Sequence, residues 1–492
     1  MVSRRWVIGA LVAGVAGPVL AEAPVRSLRP LARPDAARVA AAPVVVRRGG
    51  GALVDAAKLG GQVGYLVVDA ASGDVLEARA PEAALPPAST AKTITTLYAL
   101  ERLGAGYRFA TRLIATGPIS GGQIRGDLVL AGSGDPTLST DVLAGMAAAL
   151  RARGVTGVSG RFLIYQGALA NLRSIDPDQP DHVGYNPAIS GLNLNFNRVY
   201  FEWKRAADGW NVTMDARSDR VVPPVKMARM KVVARETPLY TFSETGGVDS
   251  WTVASGALGK GGSRWLPVRQ PGAYAGDVFR TLARAQGITL PEPDSAAAAP
   301  GGTVLVEVAS DPLPMVLEDM LKFSTNMTAE VVGLTASGGA LPTLAASAAQ
   351  MQGWAAQRFG RAGHFVDHSG LESGSRVAPA DMVAALVAAQ GGPLRGLLKP
   401  FALRDARGRE VRNHPVKVQA KTGTLNFVSG LTGYVAVPGG RDLAFAIYAA
   451  DTVRRDAVPM AAREDPPGGA AWVRRARVLQ SQLIESWAGV SG

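Results

Sequence analysis

The stretch that most constrains this chain is Pro87-Ala88-Ser89-Thr90-Ala91-Lys92. A Pro-rich approach, Leu85-Pro86-Pro87, gives way there to a helical pattern over Thr93 to Leu103 that Gly104 stops. Proline disfavours helix in the residue before it and is tolerated in a first turn, which predicts Ser89 near the N-terminus of that helix. Residues three apart share a helical face, so the Lys92 amine comes within hydrogen-bonding reach of the Ser89 hydroxyl. The positive end of the helix also favours an oxygen that is losing its proton. This is a nucleophile–base pair without histidine. Taken alone, it also matches an ordinary first-turn serine that caps a helix.

Two further strings change that balance. Ser324-Thr325-Asn326 follows a helical pattern over Pro314 to Phe323, and Lys421-Thr422-Gly423-Thr424 ends a strand pattern that alternates through Val416 and Val418. Of ten lysines only Lys92 has a serine three positions earlier, and of nine asparagines only Asn326 has a serine two positions earlier. K-T-G occurs once. The set S-x-x-K, S-x-N, K-T-G, in that order, is the signature of penicillin-binding proteins and serine β-lactamases.

The chain therefore resembles the serine penicillin-binding proteins, the longer run P-A-S-T-x-K included. The first two motifs lie 324 − 89 = 235 residues apart. So large an insert resembles the class C low-molecular-mass group, the D-alanyl-D-alanine carboxypeptidase/endopeptidases of peptidase family S13. Gly126-Asp127-Leu128, Gly134-Asp135-Pro136-Thr137-Leu138, Asn186-Pro187-Ala188, Leu192 to Asn197, Asp367-His368-Ser369-Gly370-Leu371 and Ala378-Pro379 extend the match, which runs from about residue 52 to the C-terminus.

That resemblance implies an α+β fold: a β-lactamase/transpeptidase-like catalytic domain, an antiparallel sheet with helices on both faces, interrupted by a large β-rich insert. It implies a penicillin-sensitive serine DD-peptidase, a hydrolase without metal or other cofactor. Its partners would be peptidoglycan stem peptides and, as covalent inhibitors, β-lactams. Ser89 would attack the carbonyl between two D-alanines. Lys92, held neutral by burial and by cations such as Lys421, would take the proton. Ser324 would relay it to the leaving amine, and Asn326 would orient Lys92 and the substrate. Lys421, Thr422 and Thr424 would bind the terminal carboxylate, and Gly423 would let substrate lie close to the strand. Two departures from the family pattern, Glu372-Ser373 after Ser-Gly-Leu and Asn426 beyond K-T-G, fall where the substrate's side chain would lie.

The rest of the chain sets the context. Arg4-Arg5, an apolar run from Trp6 to Ala21 and Ala21-Glu22-Ala23 follow the order of an export signal, which predicts a signal peptide over 1–21 and a periplasmic, cell-envelope location. Residues 22–50 read as a mobile basic lead-in. Eight of the arginines and only two acids lie in the first fifty residues, so +6 of the formal net charge of +12 belongs there and no nucleic-acid partner is predicted. The chain has no cysteine, and its four histidines have no metal-ligand spacing, so none is assigned.

Hairpin strands are predicted at 63–69 and 74–79, a first catalytic part over 51–112, a β-rich insert of two subdomains over 113–267 and a second catalytic part over 268–492. Within the insert, the alternating Leu-Asn-Leu-Asn-Phe-Asn of Gly191–Trp203 reads as strand. The amphipathic pattern over Trp472–Trp487 fits a helix packed on a sheet better than one lying on a membrane. A serine β-lactamase and an inactive envelope-binding protein of the same fold are the alternatives. The first would need, between the second and third motifs, a carboxylate followed four residues on by asparagine, and Glu330, Glu372 and Glu410 there are not so followed. Oligomeric state and the choice between carboxypeptidase and endopeptidase use are left open by these residues.

Overall fold

A computed structural model describes residues 49–339, 341–437 and 441–489. The predicted signal peptide, and the lead-in up to residue 48, lie outside the described residues. At the centre is a six-stranded antiparallel sheet in the order Lys399–Pro400, Lys417–Leu425, Val428–Val437, Arg441–Ala450, Gln62–Asp69, Val75–Arg79. Strands from near the two ends of the chain thus share one sheet. Gln62–Asp69 pairs with Arg441–Ala450 along its whole length.

Strand periodicity decides which side chains enter which layer. Tyr65 and Val67 face a core shared with Leu431, Phe445 and Ile447 and with Trp472, Leu479 and Leu483 of the C-terminal helix Gly469–Trp487. Leu66 and Val68 face the opposite core, with Tyr434, Ala446 and Tyr448 and the helices Ala91–Leu103, Leu313–Phe323, Asn326–Ala336, Leu344–Phe359 and Pro379–Ala388. Covered on both faces, the two inner strands read as near-continuous apolar runs rather than alternating ones. The C-terminal helix packs on the sheet, and its Trp472 indole donates to the Leu59 carbonyl at 2.7 Å. No helix among the described residues is long and apolar enough to cross a membrane.

The inserted region has its own core, built from Leu113, Leu130, Phe162, Trp251, Phe279 and Leu305 among others. Its largest sheet runs Pro293–Ser295, Phe162–Tyr165, Leu128–Gly132, Ala110–Ala115, Thr303–Ala309, and the helices Thr140–Ala152 and Pro271–Ala285 pack with it. Two three-stranded sheets follow, centred on Arg198–Ala206 and Val248–Ala254. The predicted limits 113 and 267 fall inside one strand and at the end of another. The sheet reaches out to residue 309, because Thr303–Ala309 returns to pair with Ala110–Ala115.

One local prediction fails. Residues 191–197 are not strand: Asn195, Phe196 and Asn197 all take positive φ, and the strand begins at Arg198. Buried asparagine side chains explain this. Asn193 and Asn197 accept from the backbone N–H groups of Ser190 and Leu194 three residues away, and Asn195 from that of Thr140, giving the chain side-chain partners in place of a ladder.

Candidate active site

Ser89 sits at a sharp entry into its helix. Ala88 has φ 47°, Ala88–Thr90 form one 3-10 turn, and the helix Ala91–Leu103 follows at once. A left-handed alanine costs of the order of 1 kcal/mol and persists only where the surroundings over-determine it. Glycines supply those surroundings. A Cβ on Gly370 would lie 2.0 Å from the Ala88 carbonyl oxygen, and one on Gly423 would lie 2.7 Å from the Pro87 oxygen and 3.0 Å from Ser89 N. The space at Gly423 is filled by the nucleophile segment itself, not left open for substrate, so glycine is needed there for the strand to abut the serine.

Lys92 is fully buried, and its Nζ donates to Ser89 Oγ at 2.9 Å, Asn326 Oδ1 at 2.8 Å and the Ser369 carbonyl at 2.9 Å. Burial pushes its pKa down to about 8, against the pull of two buried carboxylates, Glu330 and Asp367. Burial is thus the main cause that depresses this amine. The Asn326 amide nitrogen donates to the Tyr185 carbonyl at 3.0 Å, so one side chain joins the lysine to the insert.

Ser324 takes a left-handed φ of 59° between Leu313–Phe323 and Asn326–Ala336, a junction with no room for a helical turn. Its hydroxyl accepts from Lys421 Nζ at 2.8 Å, and the same amine reaches the Thr422 carbonyl at 2.9 Å. Burial first, then Lys92 and Lys399, hold the Lys421 pKa well below the ordinary lysine value. Two buried amines and two serine hydroxyls therefore share one site.

A supporting layer was not legible in the motifs. Glu330, wholly buried, accepts from the backbone N–H groups of His368 and Ser369, both at 2.9 Å. Asp367 accepts from those of Gly370, Leu371 and Glu372. Together they fix the carbonyl of Ser369 that Lys92 uses. Burial raises the pKa of both carboxyls. Asn326 and Glu330 are four residues apart on one helical face, a spacing that could have flagged the glutamate. Burial lowers the His368 pKa to about 3, so its imidazole is neutral, with Nε2 2.7 Å from Ser347 Oγ.

A cavity of about 710 Å³ opens over this cluster. Ser89, Ser324, Asn326, Thr424 and Asn426 line it; Lys92 and Lys421 lie buried beneath, and Thr422 and Gly423 do not line it. The Asn426 amide is tied to the Arg463 carbonyl at 2.5 Å. Leu371 and Ser373 line the cavity too, and burial with Asp367, Asp176 and Asp178 nearby pushes the Glu372 pKa up to about 7. The insert contributes Asp176, Asp178, Gln179 and Tyr185 to the wall. The buried Arg269 holds that loop by donating to the carbonyls of Arg173, Asp181 and Asn186. Beyond Ala420 the strand Lys417–Leu425 pairs only with Val428–Val437, which leaves its other edge open. Among the described residues no cluster of three His, Cys, Asp or Glu could hold a metal.

Comparison with known proteins gives consistent findings. The profile of the D-Ala-D-Ala carboxypeptidase 3 (S13) family matches residues 51–465. The D-alanyl-D-alanine carboxypeptidase of Actinomadura sp. strain R39 is 30% identical over 436 residues, covering 80% of this chain and 79% of the relative. D-alanyl-D-alanine carboxypeptidase DacB of Haemophilus influenzae is 25% identical over 438 residues, covering 79% and 85%. The crystal structure of penicillin binding protein 4 from the same organism matches with a TM-score of 0.70 at 20% identity, covering 89% of this chain and 100% of its own. That protein has also been solved with a bound β-lactam, at a TM-score of 0.69, 20% identity and the same coverage.

Proposed function

The chain belongs to the D-Ala-D-Ala carboxypeptidase 3 (S13) family and is a serine DD-peptidase, and from that premise we propose that Ser89 carries its acyl-enzyme. The observation that supports this most directly is the Lys92 amine held at once against Ser89 Oγ and Asn326 Oδ1. Ser89 Oγ attacks the carbonyl of the penultimate D-alanine, and its proton passes to neutral Lys92. Backbone N–H groups of Ser89 and Thr424, brought close by the glycine contact at 423, receive the developing oxyanion. The C–N bond breaks, Ser324 passes a proton to the leaving amine, and water then hydrolyses the serine ester.

Lys421 and the Thr424 hydroxyl face the carboxylate of the leaving residue. Stem-peptide backbone lies along the open edge of Lys417–Leu425. β-Lactams mimic the D-Ala-D-Ala terminus and acylate Ser89, in keeping with the β-lactam complex of the H. influenzae protein. The protein works in the periplasm, after removal of the segment read as an export signal. The two carboxylates nearest Lys92, Glu330 and Asp367, are each engaged by backbone N–H groups, so neither is free to activate a deacylating water as a β-lactamase would require.

The test is mass analysis after incubation with benzylpenicillin and with a peptide ending in D-Ala-D-Ala. Wild-type chain should gain the mass of one penicilloyl group and release D-alanine, and Ser89→Ala should do neither. An unmodified wild type, or a label that survives Ser89→Ala, overturns the reading.

A further inference from the structure

A second cavity, of about 270 Å³, is not lined by Ser89 and has no task in the chemistry above. Arg407, Arg474 and Arg475 line it together with Ala56, Ala406 and Val478, and no carboxylate does. Arg474 and Arg475 are exposed on the C-terminal helix Gly469–Trp487, and Arg407 is exposed on a turn in the segment 401–417. That turn is firmly built. Asp405 Oδ1 accepts from the N–H groups of Arg407 at 3.0 Å and Arg409 at 2.9 Å, and Gly408 N reaches the Asp405 carbonyl at 2.8 Å. Gly408 takes a φ of +80° and lets the turn close on the helix, since a Cβ there would lie 3.1 Å from Arg474 Cγ. Arg404 N, donating to Ser481 Oγ at 2.9 Å, fixes the same segment to the same helix.

Charge is concentrated here. The segment 401–417 and the helix Gly469–Trp487 hold eight arginines and lysines against three acids, which is +5 of the +6 that the chain carries beyond residue 50. Those acids are engaged elsewhere: Asp405 with Arg409 at 2.8 Å, Glu410 with Arg404 at 2.8 Å and Glu485 with His414 at 3.4 Å. Asp55, on the helix Gly50–Ala57 that brings Ala56 to the cavity, pairs with Arg79 at 3.1 Å. Among the described residues, Arg407, Arg474 and Arg475 have no ion pair, so three guanidiniums share one small space without an anion. One carboxylate would leave most of that charge unbalanced. A phosphate ester carries up to two charges and has enough acceptor oxygens for several guanidinium forks. The alanine and valine surface between the arginines suits a carbon skeleton.

We propose that this cavity binds a phosphate ester on an apolar carrier, with the phosphate held by Arg407, Arg474 and Arg475 and the carrier laid over Ala56, Ala406 and Val478. The ester comes from one of two sources, a soluble small molecule or the headgroup of an anionic phospholipid, and the experiment tells them apart. The site is separate from the acyl-enzyme chemistry and does not depend on it.

The full chain is titrated by calorimetry with glycerol 3-phosphate and with acetate, and is sedimented with vesicles of phosphatidylglycerol or of phosphatidylcholine. Binding to phosphatidylglycerol vesicles and not to phosphatidylcholine, with or without the free ester, assigns a lipid headgroup. Binding to the free ester alone assigns a soluble ligand. The double variant Arg407→Ala, Arg475→Ala should weaken that binding at least about tenfold, the loss of charge-assisted hydrogen bonds. Ala406→Glu, which adds a carboxylate to the cavity, should do the same. Arg412→Ala, exposed on the same segment but outside the cavity, should bind as wild type does. Arg474 is left in place because it also lines the Ser89 cavity. Fluorescent penicillin should label Ser89 equally in every variant, which reports an intact fold. The proposal is overturned if no phosphate probe binds, if acetate binds as well as glycerol 3-phosphate, or if binding survives the double variant. An equal loss in Arg412→Ala also overturns it, by showing a diffuse basic surface in place of a site. The DD-peptidase reading stands in each of these cases, because penicillin labelling alone decides it.

Discussion

Lys92 Nζ and Asn326 Oδ1 stand 2.8 Å apart although 234 residues separate them in the chain. The lysine comes from the first turn of one buried helix and the asparagine from the first turn of another, and both helices pack in the same core. Asn326→Ala leaves a donor of a fully buried amine without its acceptor, a cost of about 1–3 kcal/mol. Acylation by benzylpenicillin should slow about 10- to 100-fold, which stopped-flow fluorescence would measure. Asn326→Asp should instead add a negative charge beside Lys92 and raise its pKa, moving the active pH range upward.

Ser89→Ala should abolish covalent labelling, and Lys92→Met should slow acylation by about 10²- to 10⁴-fold, the usual worth of a positioned general base. Both variants should keep the wild-type melting temperature within a few degrees. A Lys92→Met chain that acylates at the wild-type rate would remove lysine from the mechanism.

The pH profile follows from the Lys92 pKa, held down to about 8 by burial. The neutral amine is the base, so kcat/KM should rise as pH increases through about 8 and fall off below it. Glu330 pulls that pKa upward. In Glu330→Gln the ascending limb should therefore move to lower pH. The maximal rate should also drop, because Gln puts an NH2 donor in place of one of the two oxygens that separately accept from the His368 and Ser369 N–H groups. A limb that stays in place would show that Glu330 does not act on Lys92.

Glycines around the nucleophile should tolerate nothing larger. Gly370→Ala places a Cβ 2.0 Å from the Ala88 oxygen at a φ of +74°, and Gly423→Ala places one 2.7 Å from the Pro87 oxygen. Each should reduce penicillin labelling, and Gly370→Ala should also lower stability by more than about 1 kcal/mol in a denaturant titration. Gly145, in the helix Thr140–Ala152 with open space around its Cβ position, is the counter-case. Gly145→Ala should stabilise by about 0.5–1 kcal/mol.

Short-range pattern determined the local pieces. The turn into Ala91–Leu103, the alternation of Val416 and Val418 ahead of K-T-G, the packed face of the C-terminal helix and the three singular strings were all readable, because each is written in residues two to four positions apart. Neighbouring residues cannot say which surfaces will close on each other. The Asn195–Asn197 run reads as strand until its side chains are seen bonded to backbone that includes Thr140, and Thr303–Ala309 carries no mark that it returns to Ala110–Ala115. Glu330 and Asp367 gain their positions only when helices and loops from distant parts of the chain pack together. Gly423 shows the division most plainly. Its place in K-T-G is sequence, but the reason for glycine there is the Pro87–Ser89 backbone pressed against it, a contact that only the packed fold creates.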